Sequence, residues 1–295
     1  IDIPRGTKVA GARNYFLKGD GTRLELAVLQ FALDNLAKKR FIPFTVPLLV
    51  NYEAMVGTSY FPGGEEQAYA VGVEKKRGEG IESDGKYLIG TSEVPVASYH
   101  ADETLGEEDL PKLYAGISPC FRREAGTYGK DTHGLYRVHQ FQKIEQVVVC
   151  KNDPKESRKM HELLLGNAEE ILQALQLPYR VVTVCTGEMG QGQVYKNDIE
   201  CWMYSRKAYG ETHSCSTFHD FQARRLNLKY KDKEGKTHFC HTLNNTAIAS
   251  PRILIPLLEH YQNADGSVTI PEVLRPYMGG QETISPLRQN VNCKM

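Results

Sequence analysis

Charged side chains alternate with unusual regularity in one short region of the sequence, residues 121–149. The region begins with Arg122, Arg123 and Glu124, crosses a run rich in glycine, threonine and aspartate, and continues as a predicted strand. The two-residue period of a strand places five side chains on a single face: Arg137, His139, Phe141, Lys143 and Glu145. Such a charged face must meet either water or a polar ligand.

A solvated hairpin face is the common explanation for a charged strand. A nucleotide site explains this one better, because Phe141 offers an aromatic plane for a base and the neighbouring arginines offer forks for phosphate. The intervening loop, residues 126–134, is rich in turn-forming residues. It is predicted to be a mobile hairpin connection between Arg122 and Arg137 that is able to close over a bound substrate.

Polar groups are concentrated in three further segments. In each of them, hydroxyl, amide or charged side chains lie next to an apolar run, a predicted strand or a predicted helix start. That arrangement is found in binding sites but also in helix caps and turns. The segments are GTSEVPV at 90–96, ETHSCSTFHDFQARR at 211–225 and TLNNTAIASPR at 242–252.

The first and third of these segments each allow a structural explanation. Thr91 caps a helix with Glu93 as its partner about as readily as it serves a site. Asn244 and Asn245 are able to close a turn, and Arg252 is able to be an ordinary surface cation. The sequence alone leaves these alternatives open.

The middle segment contains a possible nucleophile set. His213 is more often a hydrogen-bonded structural residue than a ligand. Ser214, Cys215 and Ser216 resemble the residues of covalent catalysis, but no Gly-x-Ser-x-Gly turn surrounds them. We therefore reject covalent catalysis through this cluster.

Any bound phosphate must be held without a phosphate-binding glycine loop. The sequence contains neither Gly-x-x-x-x-Gly-Lys nor a dinucleotide fingerprint. Arg122, Arg137 and Arg252 are able to supply the cationic forks. Glu211 is able to anchor a magnesium ion that bridges phosphates.

Composition limits the remaining possibilities. The chain has 295 residues, with 36 basic and 36 acidic side chains and a formal net charge of zero. Net charge therefore gives no general affinity for nucleic acid, although a local basic patch remains possible. No apolar run of transmembrane length and no signal-peptide pattern is present, so no membrane is expected as a partner. Seven scattered cysteines without a CxxC pair favour the reducing cytoplasm and suggest no zinc site.

Hydrophobic periodicity predicts the elements that must position these residues. Long amphipathic helices are predicted at 22–39, with Leu26, Leu29, Leu33 and Leu36 on the apolar face, and at 153–175, and a shorter helix at 251–262. Residues 41–50 are extended, and Pro43 and Pro47 place them at an edge or an interface. Further strands are predicted at 179–185, 198–204, 220–230 and 238–243. The charged, glycine-rich stretch 72–85 is a candidate for a flexible insertion. Strands without strand–helix–strand alternation indicate an α+β fold, an antiparallel sheet flanked by helices, in one domain.

The ordered motifs resemble those of class II aminoacyl-tRNA synthetases. FRREAG followed by RVHQFQKIE is similar to the second signature of the class in the form used by seryl-tRNA synthetases. KKRFIPFTVPLLV is similar to the first signature and TLNNTAIASPR to the third. GTSE, ETHSCS and DFQARR resemble motifs specific to the serine branch. The resemblance extends from about Val9 to Gly280.

The resemblance implies an activity and an organisation. The activity is ATP-dependent activation of L-serine to seryl adenylate, followed by transfer to tRNA(Ser), by a cytoplasmic homodimer of bacterial type. Residues 1–280 would form the catalytic domain, with the dimer interface around Pro47. Residues 281–295 are expected to be a poorly ordered tail.

Roles around ATP also follow from the resemblance. Arg122 would hold the α-phosphate and the serine carboxylate, and the implied catalytic set adds Glu211 and Arg252. Arg137 would take the γ-phosphate. The implied ATP-binding set is Arg122, Arg123, Glu124, Arg137, Val138, Phe141, Glu211, Ser214 and Arg252.

Within that set, adenine and the metal have separate partners. Glu124 and the backbone of Val138 would read adenine, which would be stacked between Phe141 and Arg252. The implied Mg²⁺ ligands are Glu211 and Ser214. Zinc is not expected.

The resemblance places serine in a polar pocket. Its ammonium and hydroxyl groups need carboxylate and hydroxyl partners, and alanine would leave such partners unpaired. Threonine would be excluded by size alone, which is a weaker filter. The implied serine-binding set is Thr91, Ser92, Glu93, Arg122, Glu145, Asn244 and Thr246.

The sequence departs from the family pattern in three places. Ser92 stands where alanine is commoner, and Arg40 stands where the first signature usually has glycine. The family's N-terminal tRNA-binding coiled-coil arm is absent from this chain, which begins at Ile1 rather than Met. We therefore expect serine activation to survive and tRNA(Ser) charging to be weakened.

Two alternatives remain open. One is a paralogue that activates serine or another small amino acid and passes it to a carrier protein. The other is a catalytically silent homologue with an interaction or regulatory role. Retention of Arg122, Glu124, Glu145, Glu211 and Arg252 counts against silence.

Overall fold

The computed structural model describes residues 1–75, 80–126 and 134–286. The helices are α1 (Ile3–Ala10), α2 (Asp20–Lys38), α3 (Tyr52–Gly57), α4 (Glu93–Ala97), α5 (Pro154–Ala174), α6 (Phe221–Arg225) and α7 (Leu254–Tyr261). The strands are β1 (Ile42–Thr45), β2 (Leu49–Asn51), β3 (Tyr69–Glu74), β4 (Ile81–Leu88), β5 (Thr104–Gly106), β6 (Lys112–Phe121), β7 (Gln140–Cys150), β8 (Tyr179–Thr183), β9 (Tyr195–Met203), β10 (Ala208–His219), β11 (Lys229–Lys231), β12 (Thr237–Phe239), β13 (His241–Ser250), β14 (Val268–Thr269) and β15 (Thr283–Ile284).

A seven-stranded sheet is the centre of the fold. Its strand order is β1-β6-β7-β13-β10-β9-β8. All neighbours are antiparallel except β1, which runs parallel to β6 at the edge. This confirms the predicted α+β class with an antiparallel sheet flanked by helices.

One face of this sheet is covered by α2 and α5. The N-terminus of α5 is set by Asp153, whose side chain accepts a hydrogen bond from the Lys155 backbone, and by Pro154 at the first helical position. Leu164 and Leu172 of α5 pack with Ile248 of β13 in the larger core cluster. This helix-covered face is therefore the buried, mainly apolar face of the sheet.

The buried stripe of α2 differs from the predicted one by part of a turn. Leu24, Val28 and Leu36 are buried in the core, whereas Leu26, which we placed on the apolar face, is 60% exposed. A helix turns by about 3.6 residues, so positions 24, 28, 31 and 35–36 fall on one side and Leu26 on the other.

The opposite face of the sheet carries both a second core and a cleft. Strand β7 passes from the cleft to this core along its length. In its first half, Phe141, Lys143 and Glu145 line the cleft. Val147 and Val149, on the same face, belong to the second core cluster. A small sheet of order β2-β4-β3 and the helices α3, α4 and α6 complete this side.

Several predicted elements need correction. Residues 220–230 are not one strand, since α6 occupies 221–225 and β11 only 229–231. Asp220 and Arg224 form an i,i+4 ion pair there, which supports a helical turn. The predicted strand 238–243 spans two strands, β12 and β13. The stretch 72–85, interpreted as a possible flexible insertion, is mostly a β3–β4 hairpin, with 76–79 outside the described residues.

The segment around Pro47 lies at sheet edges, as predicted. Strand β1 is an edge of the seven-stranded sheet and β2 is an edge of the small one. Just before β1, Arg40 adopts a left-handed φ of 67°. Glycine favours that conformation, which is in keeping with the glycine that the resemblance leads us to expect at this position.

The C-terminal segment is held to the domain as far as it is described. Strand β15 pairs with β14, and Arg23 of α2 donates to the Gln281 side chain at 2.7 Å. Of the predicted tail, residues 281–286 are described with these contacts and 287–295 lie outside the described residues. No helix in the described part of the chain is long and apolar enough to cross a membrane.

Candidate active site

A cleft of about 830 Å³ opens on the polar half of the second sheet face. It brings together residues that are distant in the sequence, from β7, β10 and β13 and from the loops beside them. Most of the predicted site residues line it: Glu93, Arg122, Glu124, Arg137, Val138, Phe141, Glu145, Glu211, Ser214, Asn244, Thr246 and Arg252.

Two β-bulges decide which side chains reach the cleft. The ladder between β9 and β10 shifts register between Glu211 and His213, so Glu211 and Ser214 both face the cleft although they are three residues apart. The ladder between β7 and β13 shifts between Thr246 and Ile248. Without the extra residue in β10, strict alternation would place Glu211 and Ser214 on opposite faces of the sheet.

Arg122 is fixed at the junction of β6 and β7. Its Nε donates to the Gly90 carbonyl at 3.2 Å, and its guanidinium lies 5.2 Å from the centroid of the Phe141 ring. His139 was predicted on the charged face with Phe141. Instead its backbone carbonyl accepts from the Arg122 backbone N–H, and its Nδ1 lies 3.0 Å from the Arg122 carbonyl oxygen, so it holds the Arg122 backbone in place.

An aromatic and cationic group forms one end of the cleft. Arg252 Nε donates to the Tyr136 carbonyl and Nη1 to the Glu211 carbonyl, both at 3.0 Å. The Arg252 guanidinium lies 4.4 Å from the Tyr136 ring centroid, and that of Arg206 lies 4.0 Å from the same centroid. Together with Phe141 this end offers flat surfaces and fixed positive charge, which suit a base and phosphates.

Glu124 and Arg137 lie together at the same end of the cleft. Arg137 Nη1 donates to Glu124 Oε2 at 3.0 Å, and Arg13 Nη1 donates to the Glu124 carbonyl at 3.3 Å. Glu124 has a left-handed φ of 54°, a strained conformation for a residue with a side chain. The loop between Gly126 and Gly134, predicted to close over a substrate, lies outside the described residues at 127–133.

Buried acidic groups form the other end. Glu145 is 2% exposed and pairs with Lys143 at 2.6 Å, and Thr246 Oγ1 donates to Glu145 Oε2 at 3.2 Å. Glu93 lies close enough to be influenced by Glu145. Burial, and then the Glu145 charge, raises the pKa of Glu93 to about 7. These carboxylates, with Asn244 beside them, are suited to bind a small molecule that carries an ammonium and a hydroxyl group.

Three predicted site residues are not among the described residues that line the cleft. Thr91 is buried and its Oγ1 accepts a hydrogen bond at 3.2 Å from the backbone N–H of Glu93, the first residue of α4, although the N-cap position itself is Ser92. Ser92 is fully buried against Gly116, where an added Cβ would lie 2.5 Å from Ser92 Oγ. Arg123 is exposed, and its backbone N–H donates to the Gln67 carbonyl at 2.9 Å.

The donor set at Glu211 and Ser214 fits a magnesium ion. A carboxylate and a hydroxyl provide hard oxygen ligands, and Mg²⁺ commonly takes one or two carboxylates plus phosphate oxygens. Asp198 is directly across the ladder from Ser214, and burial, followed by repulsion from Glu211, raises the pKa of Asp198. Lys196 lies 3.4 Å from Asp198 and is also in the cleft lining.

The other polar residues of the 211–225 segment have structural partners. His213 is buried, with Nδ1 2.8 Å from Thr212 Oγ1 and Nε2 3.1 Å from the Ala247 carbonyl oxygen. Burial lowers the pKa of His213 to about 4. Cys215 lies in the helix-side core and burial raises the pKa of its thiol, which does not favour a nucleophile. Among the described residues, no group of three or more His, Cys, Asp or Glu side chains is arranged to hold a metal ion.

Sequence reasoning missed four residues of this site. Tyr136 carries two guanidinium contacts, and Asp198 and Lys196 are neighbours of the candidate metal ligands. Gln222 donates to Glu93 from a helix that we had predicted as a strand. Tyr136 and Gln222 lay within segments already singled out, 121–149 and 211–225, whereas Lys196 and Asp198 lay outside them.

Comparison with known proteins identifies the family of the chain. The family model of the tRNA synthetase class II core domain (G, H, P, S and T) matches residues 77–261. The serine–tRNA ligase of Deinococcus radiodurans is 51% identical over 288 residues, which are 97% of this chain and 65% of that protein. The chain belongs to the seryl-tRNA synthetase family of class II.

Solved structures of the family superpose closely. Seryl-tRNA synthetase from Pyrococcus horikoshii, complexed with ATP, matches with a TM-score of 0.89 and 44% identity, over 97% of this chain and 62% of that one. Cytoplasmic serine–tRNA ligase from Naegleria fowleri, in complex with AMP, matches with a TM-score of 0.88 and 41% identity, over 97% and 64%. The chain thus spans slightly less than two thirds of the length of these relatives.

Proposed function

We propose that this chain activates L-serine with ATP and transfers the seryl group to tRNA(Ser). The observation that carries the proposal is a single cleft with two chemically different ends. One end has Arg122, Arg252 and aromatic rings, and the other has the buried carboxylates Glu93 and Glu145. An adenine nucleotide fits the first end and a small hydroxylated amino acid fits the second.

In the first step, an oxygen of the serine carboxylate attacks the α-phosphorus of ATP. The bond from that phosphorus to the bridging oxygen of the β-phosphate breaks, and pyrophosphate leaves with seryl adenylate remaining. Arg122 lies against the Phe141 ring of the first end and, like Glu93 and Glu145 of the second, close to Tyr60, so it is able to hold the carboxylate and neutralise charge that develops on the α-phosphate. Catalysis is then positioning plus electrostatics, without a protein nucleophile.

Arg252, Phe141 and Tyr136 would orient the nucleotide. The two hydrogen bonds that Arg252 makes to backbone carbonyls fix its guanidinium plane at the cleft wall. Phe141 offers a second plane, and Glu124 with the Val138 backbone offers polar groups for the base edge. Arg137, beside Glu124, is placed for the distal phosphate.

Glu211 and Ser214 would hold Mg²⁺. When bound, the ion supplies charge neutralisation at the phosphate oxygens. Of the chain's own groups, the Glu211 carboxylate and the Ser214 hydroxyl are on the same face because of the β10 bulge, which makes them able to act together.

Transfer requires a tRNA whose terminal ribose hydroxyl attacks the carbonyl carbon of seryl adenylate, with AMP leaving. We propose tRNA(Ser) as that partner on the strength of the family. A second copy of the chain is proposed to pack on the edges formed by β1 and β2. Exposed apolar side chains, which are typical of an interface, are found on or beside them: Ile42, Leu49, Tyr52 and Tyr99. The free thiols of the described cysteines are in keeping with the cytoplasm.

Serine-dependent exchange of pyrophosphate into ATP tests the activation step. We expect exchange with serine, none with alanine, and weak exchange with threonine. Arg122→Ala should reduce exchange by about 10²–10³-fold or more, because a preorganised charge is removed. Arg158→Ala is the matched control, since Arg158 stacks on Tyr195 at the surface of α5, away from the cleft. Full exchange by Arg122→Ala would refute the role of Arg122, and absence of serine-dependent exchange in the wild type would refute the proposed function.

A further inference from the structure

Gln222 is a buried residue that contacts the acidic end of the cleft from behind. It lies on α6, is 1% exposed, and its Nε2 donates to Glu93 Oε1 at 2.8 Å. The same Nε2 donates to the Thr58 carbonyl at 3.3 Å. Gln222 does not line the cleft, so any effect on a bound ligand must act through Glu93.

The neighbours of Gln222 fix the orientation of its amide. The Thr58 carbonyl can only accept a hydrogen bond, so the amide nitrogen must face it and Glu93. On the other side, the hydroxyl of Thr242 donates to Gln222 Oε1 at 2.7 Å. All three groups are satisfied only in this orientation, in which Gln222 presents N–H to Glu93 and never a lone pair. A donor favours the ionised form of a carboxylate.

Glu93 needs that donor because its surroundings disfavour a negative charge. It is 7% exposed, and burial, followed by the nearby Glu145 charge, raises its pKa to about 7. The other titratable groups around it are Lys143, which lowers the pKa of Glu93, and Tyr60, whose own pKa is raised by burial and then by Glu93. Hydrogen bonds from Gln222 and Asn244 also lower the pKa of Glu93.

We propose that Gln222 is a positioning residue for substrate selection: it keeps the Glu93 carboxylate ionised and directed into the cleft, ready for the polar groups of the amino acid. This inference rests on the proposed function, because it assumes that the substrate at this end is serine. Gln222 itself touches no reacting atom. Thr242 acts one step further away, by holding the amide in the donating orientation.

A matched control is available on the other face of the sheet. Gln146 is also a fully buried glutamine, 0% exposed, and its Nε2 donates to the Leu164 carbonyl at 3.1 Å. Its Oε1 accepts from Asn167 Nδ2 at 2.7 Å. Gln146 contacts α5 and no carboxylate, so Gln146→Met removes the same kind of hydrogen bonds without affecting Glu93.

The test measures serine-dependent pyrophosphate exchange between pH 6 and pH 9 for the wild type, Gln222→Met and Gln146→Met. For Gln222→Met we expect the acidic limb of kcat/KM for serine to move up by about one pH unit, and the serine KM at pH 7 to rise about fivefold. The KM for ATP should not change, and activity should recover as the pH rises. For Gln146→Met we expect lower resistance to urea with the limb in its wild-type position.

Gln222→Glu decides the matter if Gln222→Met does not fold, because it keeps the shape of the side chain. At low pH the carboxyl group introduced at position 222 and the Glu93 carboxylate share one proton. The O–H group of the shared proton then takes the place of the N–H donor of Gln222. When that proton is lost, Glu93 meets a like charge. We therefore expect Gln222→Glu to lose serine affinity as the pH rises, which is the opposite direction to Gln222→Met.

The outcomes separate this inference from the proposed function. A wild-type protein without serine-dependent exchange would overturn both. An active wild type in which Gln222→Met leaves the acidic limb in place, or shifts it no more than Gln146→Met does, would overturn the positioning role alone. A serine KM for Gln222→Glu that does not depend on pH would do the same.

Discussion

The two faces of the central sheet differ in the kind of polar side chain that they bury. On the helix-covered face, buried polar residues are neutral and hydrogen-bonded to one another, as in the pair Gln146 and Asn167. His161 lies there between Thr217 and Asn197, both at 2.9 Å. On the cleft face, charged residues are buried as well, as in the pair Lys143 and Glu145. Neutral pairs cost little to bury, whereas charged ones depend on their partners.

The difference shows that the cleft face contains groups that favour ligand binding at the expense of folding stability. Glu93 and Glu145 are held close together at the end of the cleft, an arrangement that raises the pKa of Glu93. Such groups are in place to meet a charged substrate, and in its absence they destabilise the fold. The helix-covered face has no such task, and its buried polar groups include neutral, hydrogen-bonded side chains such as Gln146, Asn167 and His161.

The largest expected difference between the faces comes from two adjacent residues of β7. Glu145→Ala should destabilise the protein by about 3–5 kcal/mol, because it leaves the Lys143 ammonium buried without its partner. Gln146→Ala, on the other face, should cost about 1–3 kcal/mol, since only neutral hydrogen bonds are lost. Urea unfolding at pH 7 measures both values. Equal costs would remove the distinction drawn here.

Glu93→Gln should stabilise the protein at alkaline pH while abolishing serine exchange. The folded-state pKa of Glu93, about 7, lies above its ordinary value of 4.5. The folded state therefore holds the proton more tightly, and stability falls as the pH rises from 4.5 through 7. Neutral glutamine removes this loss, which is worth roughly 2–3 kcal/mol at pH 8 and nothing below pH 4.5.

Urea unfolding of Glu93→Gln at pH 4 and pH 8 tests this expectation. Glu162→Gln on the outer side of α5 serves as the control, because its side chain is 64% exposed. A Glu93→Gln protein that is no more stable than the wild type at pH 8 would show that Gln222, Asn244 and Lys143 already compensate the buried charge.

The helix-covered face should respond to pH in the opposite direction. Burial, and then the His219 charge, lowers the pKa of His241 from 6.5 to about 4. The unfolded state takes up the proton first, so stability is fully present above pH 6.5 and is lost as the pH falls toward 4. His241→Gln should therefore be about 2 kcal/mol less sensitive to acidification from pH 7 to pH 5 than the wild type.

Unfolding curves at pH 5, 6 and 7 measure the effect of His241→Gln. His260→Gln, at an exposed position on α7, is the control. Because the Ser157 hydroxyl lies 2.7 Å from His241 Nδ1, the variant also tests whether a glutamine amide can replace that contact. Identical acid sensitivity of the wild type and His241→Gln would exclude a role for this group.

The smallest effect expected is at the neighbours Thr91 and Ser92. The Ser92 hydroxyl is fully buried and, among the described residues, has no hydrogen-bond partner, so Ser92→Ala should stabilise the protein by about 1 kcal/mol. Thr91→Ala should destabilise it by about 1 kcal/mol, because the Glu93 backbone N–H loses its acceptor. Thermal unfolding distinguishes the two signs. A raised serine KM in Ser92→Ala would instead support the serine-binding role implied by the family.

Much of this protein could be predicted from local sequence. Apolar spacing gave the helices near 22–39 and 153–175, because a helix of such length repeats its pattern several times. Alternation placed Phe141, Lys143 and Glu145 on one face, and the ordered motifs pointed to the family. The short helix α6 was missed, since five residues are too few to show a helical period.

Only the tertiary structure decided which polar groups meet. The bulges in β10 and β13 bring Glu211 to the face of Ser214 and interrupt the alternation of β13, and no residue type signals a bulge there in advance. Gln222 reaches Glu93 across 129 positions of sequence, because α4 and α6 pack behind the same cleft. The sequence determines which side chains are carboxylates or amides. Burial and the distance to Glu145, which set the pKa of Glu93, are determined only by the folded chain.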